Sequence, residues 1–244
     1  MRLDRILANS GIGSRSEVKN HIRKGRISLH GEILRSGKTQ IKDEDRFALR
    51  FDNKPIQISK NLYFLMNKPA GLITSMELND DDAIAKLLPE LFFNKKVMPV
   101  GRLDKDTTGL LIFTNNGELN HRLLSPKYKI PRKYYVEVEI LTHAFNEDDQ
   151  KLVQAGIKLN ERETASAAIL EILSETECYL TLFEGKYHEV KRIMHALGKE
   201  VINLHRESYG KLQIHNEEPG ELRKLESSEA LDLLELCKLS ATDL

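Results

Sequence analysis

The chain has little cysteine, no long apolar run and no net charge, and each lack removes a class of protein. Cys178 and Cys237 are its two cysteines, far apart and without a C-x-x-C spacing or a clustered histidine partner. That excludes a disulfide framework and a structural zinc site, and both read as reduced, buried thiols. His188, His195 and His205 do not have metal-ligand spacing, so no metal is expected. No apolar run reaches the roughly 18 residues of a membrane span, and the start Met1-Arg2-Leu3-Asp4-Arg5 is not a signal peptide, so a cytoplasmic protein without membrane contact is expected. Low-complexity tracts are missing too. A composition of 40% hydrophobic and 30% charged residues is that of a folded globular chain. Its 244 residues suffice for one large domain or two ordinary ones.

The missing net charge is the least informative absence. Thirty-seven basic residues offset 37 acidic ones, so bulk charge offers no footprint for a nucleic acid. The balance nevertheless joins two unlike halves. Residues 1–58 hold 13 basic and 7 acidic residues, giving +6, whereas residues 59–244 hold 24 and 30, giving −6. From His215 to Leu244 there are 8 acidic and 3 basic residues, so that end is unsuited to a phosphate backbone.

Within the basic half, Leu3, Ile6 and Leu7 mark one face of a short helix. Ser14-Arg15-Ser16-Glu17 has capping-box spacing, and Val18 and Ile22 supply the apolar stripe of a second helix that ends at Lys24-Gly25. Arg26 to Leu29 and Glu32 to Leu34 read as strands around His30-Gly31, and Phe47, Leu49 and Phe51 as a final half-buried strand. Arg2, Arg5, Arg15, Lys19, Arg23, Lys24 and Arg26 then face outward. Such a surface suits RNA recognised by shape and backbone contacts, and suits equally a solvated charged face. The order of residues from Met1 to Glu32 resembles the ribosomal-protein-S4-like RNA-binding module over about the first 50 residues.

Pro55 to Asn61 is polar and short, a tether with the domain boundary near Lys60, giving domains 1–58 and 59–244. Beyond it, strands are expected at Tyr63–Met66, running into a turn at Asn67 to Gly71, and at Leu110–Thr114, Tyr134–Ile140, Ala167–Leu173 and Tyr179–Phe183. Helices are expected at Ala83–Leu88, Gly117–Leu124, Glu147–Ala155, Glu189–Leu197 and Ser228–Leu239, the last covering apolar surface. Without regular alternation, these predict an α+β domain on a largely antiparallel mixed sheet with flanking helices.

Val100-Gly-Arg-Leu-Asp-Lys-Asp-Thr-Thr-Gly-Leu-Leu111 concentrates charge between glycines before an apolar strand, a loop held at a sheet edge. On residues alone, a surface turn is the plainer reading of Asp104 and Asp106. Asp-x-Asp-x-Thr also resembles the nucleophile loop of haloacid-dehalogenase-type phosphatases. That loop follows directly on a buried strand, whereas Gly101-Arg102-Leu103 precede Asp104, and no later acidic pair supplies a magnesium site.

The same segment, followed by Thr114-Asn-Asn-Gly-Glu-Leu119 and His121-Arg-Leu-Leu-Ser-Pro126, is similar to the defining motif of pseudouridine synthases. Asn67-Lys-Pro-x-Gly71 and Glu184-Gly-Lys-Tyr-His-Glu-Val-Lys-Arg-Ile-Met194 resemble further motifs of that family. With the amino-terminal module, the chain resembles the ribosomal small-subunit pseudouridine synthase A group and its large-subunit relatives.

The resemblance implies that Asp104 is the catalytic aspartate, that Tyr134 is the tyrosine of the basic-x-Tyr-x-Val motif, with Tyr135 the alternative in register, and that Lys191 is the motif's basic residue. Glu189 departs from the glutamine frequent at its position, a change that bears on local hydrogen bonding. A carboxylate acts as nucleophile or as base near the ribose. A lysine beside it favours its charge, and a tyrosine stacks on a uracil taken out of the helix. Without the resemblance, a core tyrosine and a surface lysine are the plainer readings. Isomerisation has no net redox change and needs no energy donor, so no cofactor is expected. Arg102 is expected to contact phosphate or fill the space of the extruded base, with a structural ion pair as the alternative. Lys68, Lys186 and Arg192 are expected at the rim, and His188 in a turn or supporting position. The partner implied is ribosomal RNA, 16S rRNA in a small-subunit assembly intermediate, with a monomer acting on it. A 23S site and a noncatalytic assembly factor are the alternatives.

Overall fold

The structure, a computed structural model, describes residues 2–10, 12–42, 44–56 and 61–240. It divides into two compact units, Met1–Lys60 and Asn61–Leu244. Residues 57–60 of the expected tether lie outside the described residues.

In the first unit, α1 (Leu3–Asn9) and α2 (Arg15–Arg23) accompany a small antiparallel sheet of order β2-β1-β3-β4, made of β1 (Ile27–Leu29), β2 (Glu32–Ile33), β3 (Leu49–Phe51) and β4 (Lys54–Pro55). The helix α2 begins where the sequence places it, because the Ser14 hydroxyl and the Glu17 carboxylate complete a reciprocal cap. Leu3, Ile6, Leu7, Val18, Ile22, Ile27 and Leu49 close the core. The strand expected from Phe47 is shorter than the alternation suggests. Arg46–Ala48 form a 3-10 turn with Phe47 exposed, and the ladder starts at Leu49. Pro55 sits on edge strand β4, where its missing N–H costs no ladder bond.

The second unit is built on one nine-stranded sheet. In chain order it contains β5 (Tyr63–Lys68), α3 (Glu90–Lys95), β6 (Met98–Pro99), β7 (Thr108–Thr114), α4 (Gly117–Leu124), β8 (Arg132–Ile140) and α5 (Glu147–Ala155). There follow β9 (Ile169–Ile172), β10 (Glu177–Leu182), α6 (Glu189–Ala196), β11 (Lys199–Tyr209), β12 (Leu212–Gln213), β13 (Leu222–Lys224) and α7 (Ser227–Leu236). The main path runs β13-β5-β7-β11-β8-β10-β9, and all its pairs are antiparallel except β7 with β11. This is the α+β, mixed and largely antiparallel architecture that the sequence predicts.

Alternation explains the layering. In β7, Leu111 and Phe113 join one apolar cluster while Leu110 and Ile112 join another, and all four are fully buried. Helix α7 covers the second cluster through Ala230, Leu233 and Leu234. Cys178 and Cys237 are free and buried in the two clusters. Three expectations change. Ile84–Leu87 is a 3-10 turn, α3 was not foreseen, and β11, the longest strand, lies between β7 and β8. Because β7 is an interior strand, the charged loop before it lies at the sheet's end and not at its edge.

Candidate active site

The loop from Val100 to Thr107 is tied down from both sides. Buried Thr74 donates its hydroxyl to the Leu103 carbonyl at 2.8 Å and accepts from the Leu103 N–H at 3.1 Å. Lys68 donates to the carbonyls of Thr107 at 2.8 Å and Pro69 at 2.9 Å. The Gly71 N–H donates to the Lys105 carbonyl at 2.8 Å. The Asn-Lys-Pro-x-Gly turn therefore fixes the loop that carries Asp104. It also corrects the reading of Lys68, which is fully buried and not at a rim; that burial pushes its ammonium down to about 8.

Three elements meet at one cavity. The loop supplies Asp104, β8 supplies Tyr134, and α6 supplies Lys191. Tyr134 shares its face with Val136 and Val138, all buried. Tyr135 points the other way, where its hydroxyl donates to Glu177 and is pushed up to about 12 by that bond. The register thus brings Tyr134 into the cavity and leaves Tyr135 outside it.

Lys191 lies 3.7 Å from Asp104 Oδ2 but donates at 2.7 Å to each oxygen of Asp106. That donation holds the Asp106 carboxyl below the usual carboxylate range. The lysine thus serves two carboxylates, and the nearer is the one that the sequence did not select. His188 adds a contact that sequence reasoning left vague. It takes a left-handed φ of 48° at the start of α6, stacks on Tyr187, and places Nε2 3.4 Å from Asp104 Oδ1.

The remaining candidates scatter. Arg102 is exposed at the cavity, with no side-chain partner among the described residues. Lys186 lines the cavity but is spent on Glu184 Oε1 at 2.6 Å and the Thr164 carbonyl at 2.8 Å. Arg192 lies away from the cavity lining, bonded to Glu163 and to the Tyr187 carbonyl. In the first unit, Arg2, Arg5, Arg15 and Lys19 line one cleft with Asp4, and Arg2 is paired with that aspartate. Arg23 and Lys24 are exposed, Arg23 bonded to Asn20. Arg26 is bound to Asp52 and lies over the Phe51 ring, so it is not a free cation.

Glu189 is 4% exposed at the cavity and accepts the Lys186 N–H at 2.8 Å. Burial, with the Glu184 carboxyl against it, pushes Glu189 up to about 7. Burial also opposes the charge of Glu184, but bonds from Lys186 and Ser166 outweigh it and hold that carboxyl at about 2. Glu189 thus holds its proton to higher pH than a free glutamate does, and in that form offers the donor and acceptor of a glutamine. Because its folded-state value lies above the unfolded one, its contribution to stability is complete below about pH 4.3 and is lost as pH rises through 7. Glu189→Gln should therefore resist urea better than the parent at pH 8, by roughly 1–2 kcal/mol, with the gap closing toward pH 5. A gap independent of pH would contradict this assignment.

Residues 62–196 match the family model described as RNA pseudouridylate synthase, and residues 1–47 match that of the S4 domain. The chain belongs to the RNA pseudouridylate synthase family. An uncharacterized RNA pseudouridine synthase of Bacillus subtilis is 38% identical over 96% of this synthase and 98% of its own length. Ribosomal small subunit pseudouridine synthase A of Yersinia pestis is 35% identical over 94% and 96%, and that of Escherichia coli 34% over 94% and 98%. A pseudouridylate synthase known from a crystal structure is 36% identical, with a TM-score of 0.65 and coverage of 96% and 99%. The synthase thus isomerises uridine in RNA. Sequence reasoning passed over Arg206, which lines the cavity beside Tyr134. Its only signal was the spacing of Leu204 and Arg206 on one strand face.

Proposed function

We propose that the synthase converts one uridine of 16S rRNA to pseudouridine, with Asp104 as the catalytic carboxylate and no cofactor. The observation that carries this reading is the convergence of Asp104, Tyr134 and Lys191 from a loop, a strand and a helix onto one cavity. A uracil extruded from RNA stacks on Tyr134. The Asp104 carboxylate then reaches the ribose as nucleophile or base, with the Lys191 ammonium 3.7 Å from it. The relatives' names support the small subunit as target. We assign catalysis to residues 59–244 and docking to residues 1–58, and read the protein as a cytoplasmic monomer acting on a small-subunit assembly intermediate.

The test incubates the purified chain with 16S and 23S rRNA, each bare and bound to ribosomal proteins, and maps pseudouridine chemically. A single new position in 16S rRNA is expected. A position in 23S rRNA would redirect the target, and none in either would overturn the reading.

Docking by the first unit has its own expected result. Arg5, Arg15 and Lys19 share one cleft, and each phosphate that a side chain no longer neutralises lowers the salt slope of binding by about one. Arg15→Ala with Lys19→Ala should weaken rRNA binding and flatten its salt dependence by roughly two. An unchanged slope in a salt titration would show that these residues touch no phosphate.

A further inference from the structure

Three cations lie inside the second unit with no carboxylate bonded to them among the described residues. Arg132 is 5% exposed, Arg206 is 3% exposed and Lys68 is fully buried. Their hydrogen bonds go to backbone carbonyls. Arg132 donates to Glu184 at 2.7 Å and Leu123 at 3.1 Å, Arg206 Nε donates to Leu110 at 2.6 Å, and Lys68 is held as described above. Arg132 Nε and Arg206 Nη2 are buried with no acceptor among the described residues. A charge taken out of water and left uncompensated is costly to the fold, so this arrangement is disfavoured in the free protein.

The chain nevertheless makes room for it. A Cβ at Gly185 would lie 2.2 Å from Arg132 Nη1, so any other residue there would displace that guanidinium. The ladder sets Arg206 directly opposite Tyr134, projecting both to the same face, with the guanidinium 6.0 Å from the ring centroid. Arg132 and Arg206 also share the Tyr209 ring, at 5.1 and 5.2 Å. Both arginines line the cavity that holds Asp104.

We propose that Arg206, with Arg132 across the Tyr209 ring, stabilises the negative charge that uracil acquires when its bond to ribose breaks. The inference rests on reading the Asp104 cavity as the place of reaction. In the isomerisation the C1′–N1 bond breaks and its electron pair leaves on uracil. The base then bonds to C1′ through C5; C5 releases one proton and N1 takes up one, so nothing is gained or lost overall. Between bond breaking and bond making the base is an anion, with charge spread over N1, O2 and O4. Bound uracil is neutral before that. A fixed buried cation therefore interacts more strongly with the transition state than with the substrate, which is the condition for acceleration. An RNA phosphate is charged throughout, so a phosphate subsite would improve binding and not the rate of the bound complex.

Arg206→Met and Arg206→Lys separate these roles on the rRNA that the wild-type chain modifies. Binding is measured with Asp104→Asn also present, and pseudouridine formation in single turnover without it. Arg206→Met should bind within about threefold of its parent, form pseudouridine roughly 10²–10³-fold more slowly once bound, and melt at an unchanged or higher temperature. Arg206→Lys should recover at least about tenfold of that rate. Weaker binding with an intact single-turnover rate would overturn the proposal in favour of a phosphate contact. Equal loss of rate in both variants with a lowered melting temperature would overturn it in favour of a scaffold. A wild-type chain inactive on rRNA in this assay would instead strike the underlying reading.

Discussion

Asp104→Asn should abolish pseudouridine formation while leaving the fold and RNA binding in place. The carboxylate supplies no hydrogen bond that holds its own loop, which is fixed by Thr74, Lys68 and the Lys105 carbonyl instead. Replacing it by an amide of the same shape removes charge and basicity alone. Stability should change by less than about 0.5 kcal/mol, as for a substitution that breaks no buried network. The rate should fall by at least about 10²–10⁴-fold if the carboxylate is a base, and further if it attacks carbon. Single-turnover assay and urea denaturation of the same preparation check both parts. Lost activity with a matching loss of stability would make Asp104 a structural residue.

Lys199→Met should produce the largest loss of stability. Lys199 opens β11 at 0% exposure and bonds to Asp149 Oδ2, on α5 at 2% exposure, over 2.9 Å. Its ammonium also donates to the Leu197 carbonyl at 3.0 Å and lies 4.8 Å over the Phe145 ring. Removing the lysine leaves a buried carboxylate, which caps α5 through the Asn146 N–H, with His143 Nε2 at 3.1 Å as its remaining side-chain partner. The expected cost is about 3–5 kcal/mol. Replacing both partners by apolar residues should recover much of it, since an apolar pair avoids desolvating two charges. Urea denaturation of the two single variants and the double variant measures this. Arg206 lies seven residues further along the same strand, roughly 23 Å away at strand spacing, so folded Lys199→Met should keep its turnover rate. A cost below about 1 kcal/mol would mean that the buried pair is dispensable.

Local signals in the sequence were sufficient where the structure is local. The Ser14–Glu17 cap starts α2, and Gly117–Leu124 and Glu147–Ala155 end where their periodicity ends. Strand β11 escaped because its apolar alternation is broken by bulges between Val201 and Asn203 and between Arg206 and Ser208. Its polar residues are also engaged by distant partners: Lys199 by Asp149, and Arg206 by the Leu110 carbonyl. Lys68 misled for the same reason. A lysine in a turn motif reads as exposed, and the carbonyls that bury it come from residues up to 39 positions later. Helix α3, six residues behind Pro89 without a side-chain cap, carries no amphipathic signal long enough to detect. In the candidate site, the family resemblance selected Asp104, Tyr134 and Lys191 and left Tyr135 as the alternative in register, which the ladder places outside the cavity. The pairing of Lys191 with Asp106, the burial of Lys68 and the carbonyl-held arginines depend on tertiary contacts that no spacing encodes.

The most direct test of the central claim is a chemical map of pseudouridine across the rRNA of cells lacking this chain, resupplied with the wild type or with Asp104→Asn. One small-subunit position should disappear with the gene, return with the wild type and stay absent with the variant. Persistence of every modified position in the deficient cells, or restoration by Asp104→Asn, would contradict it.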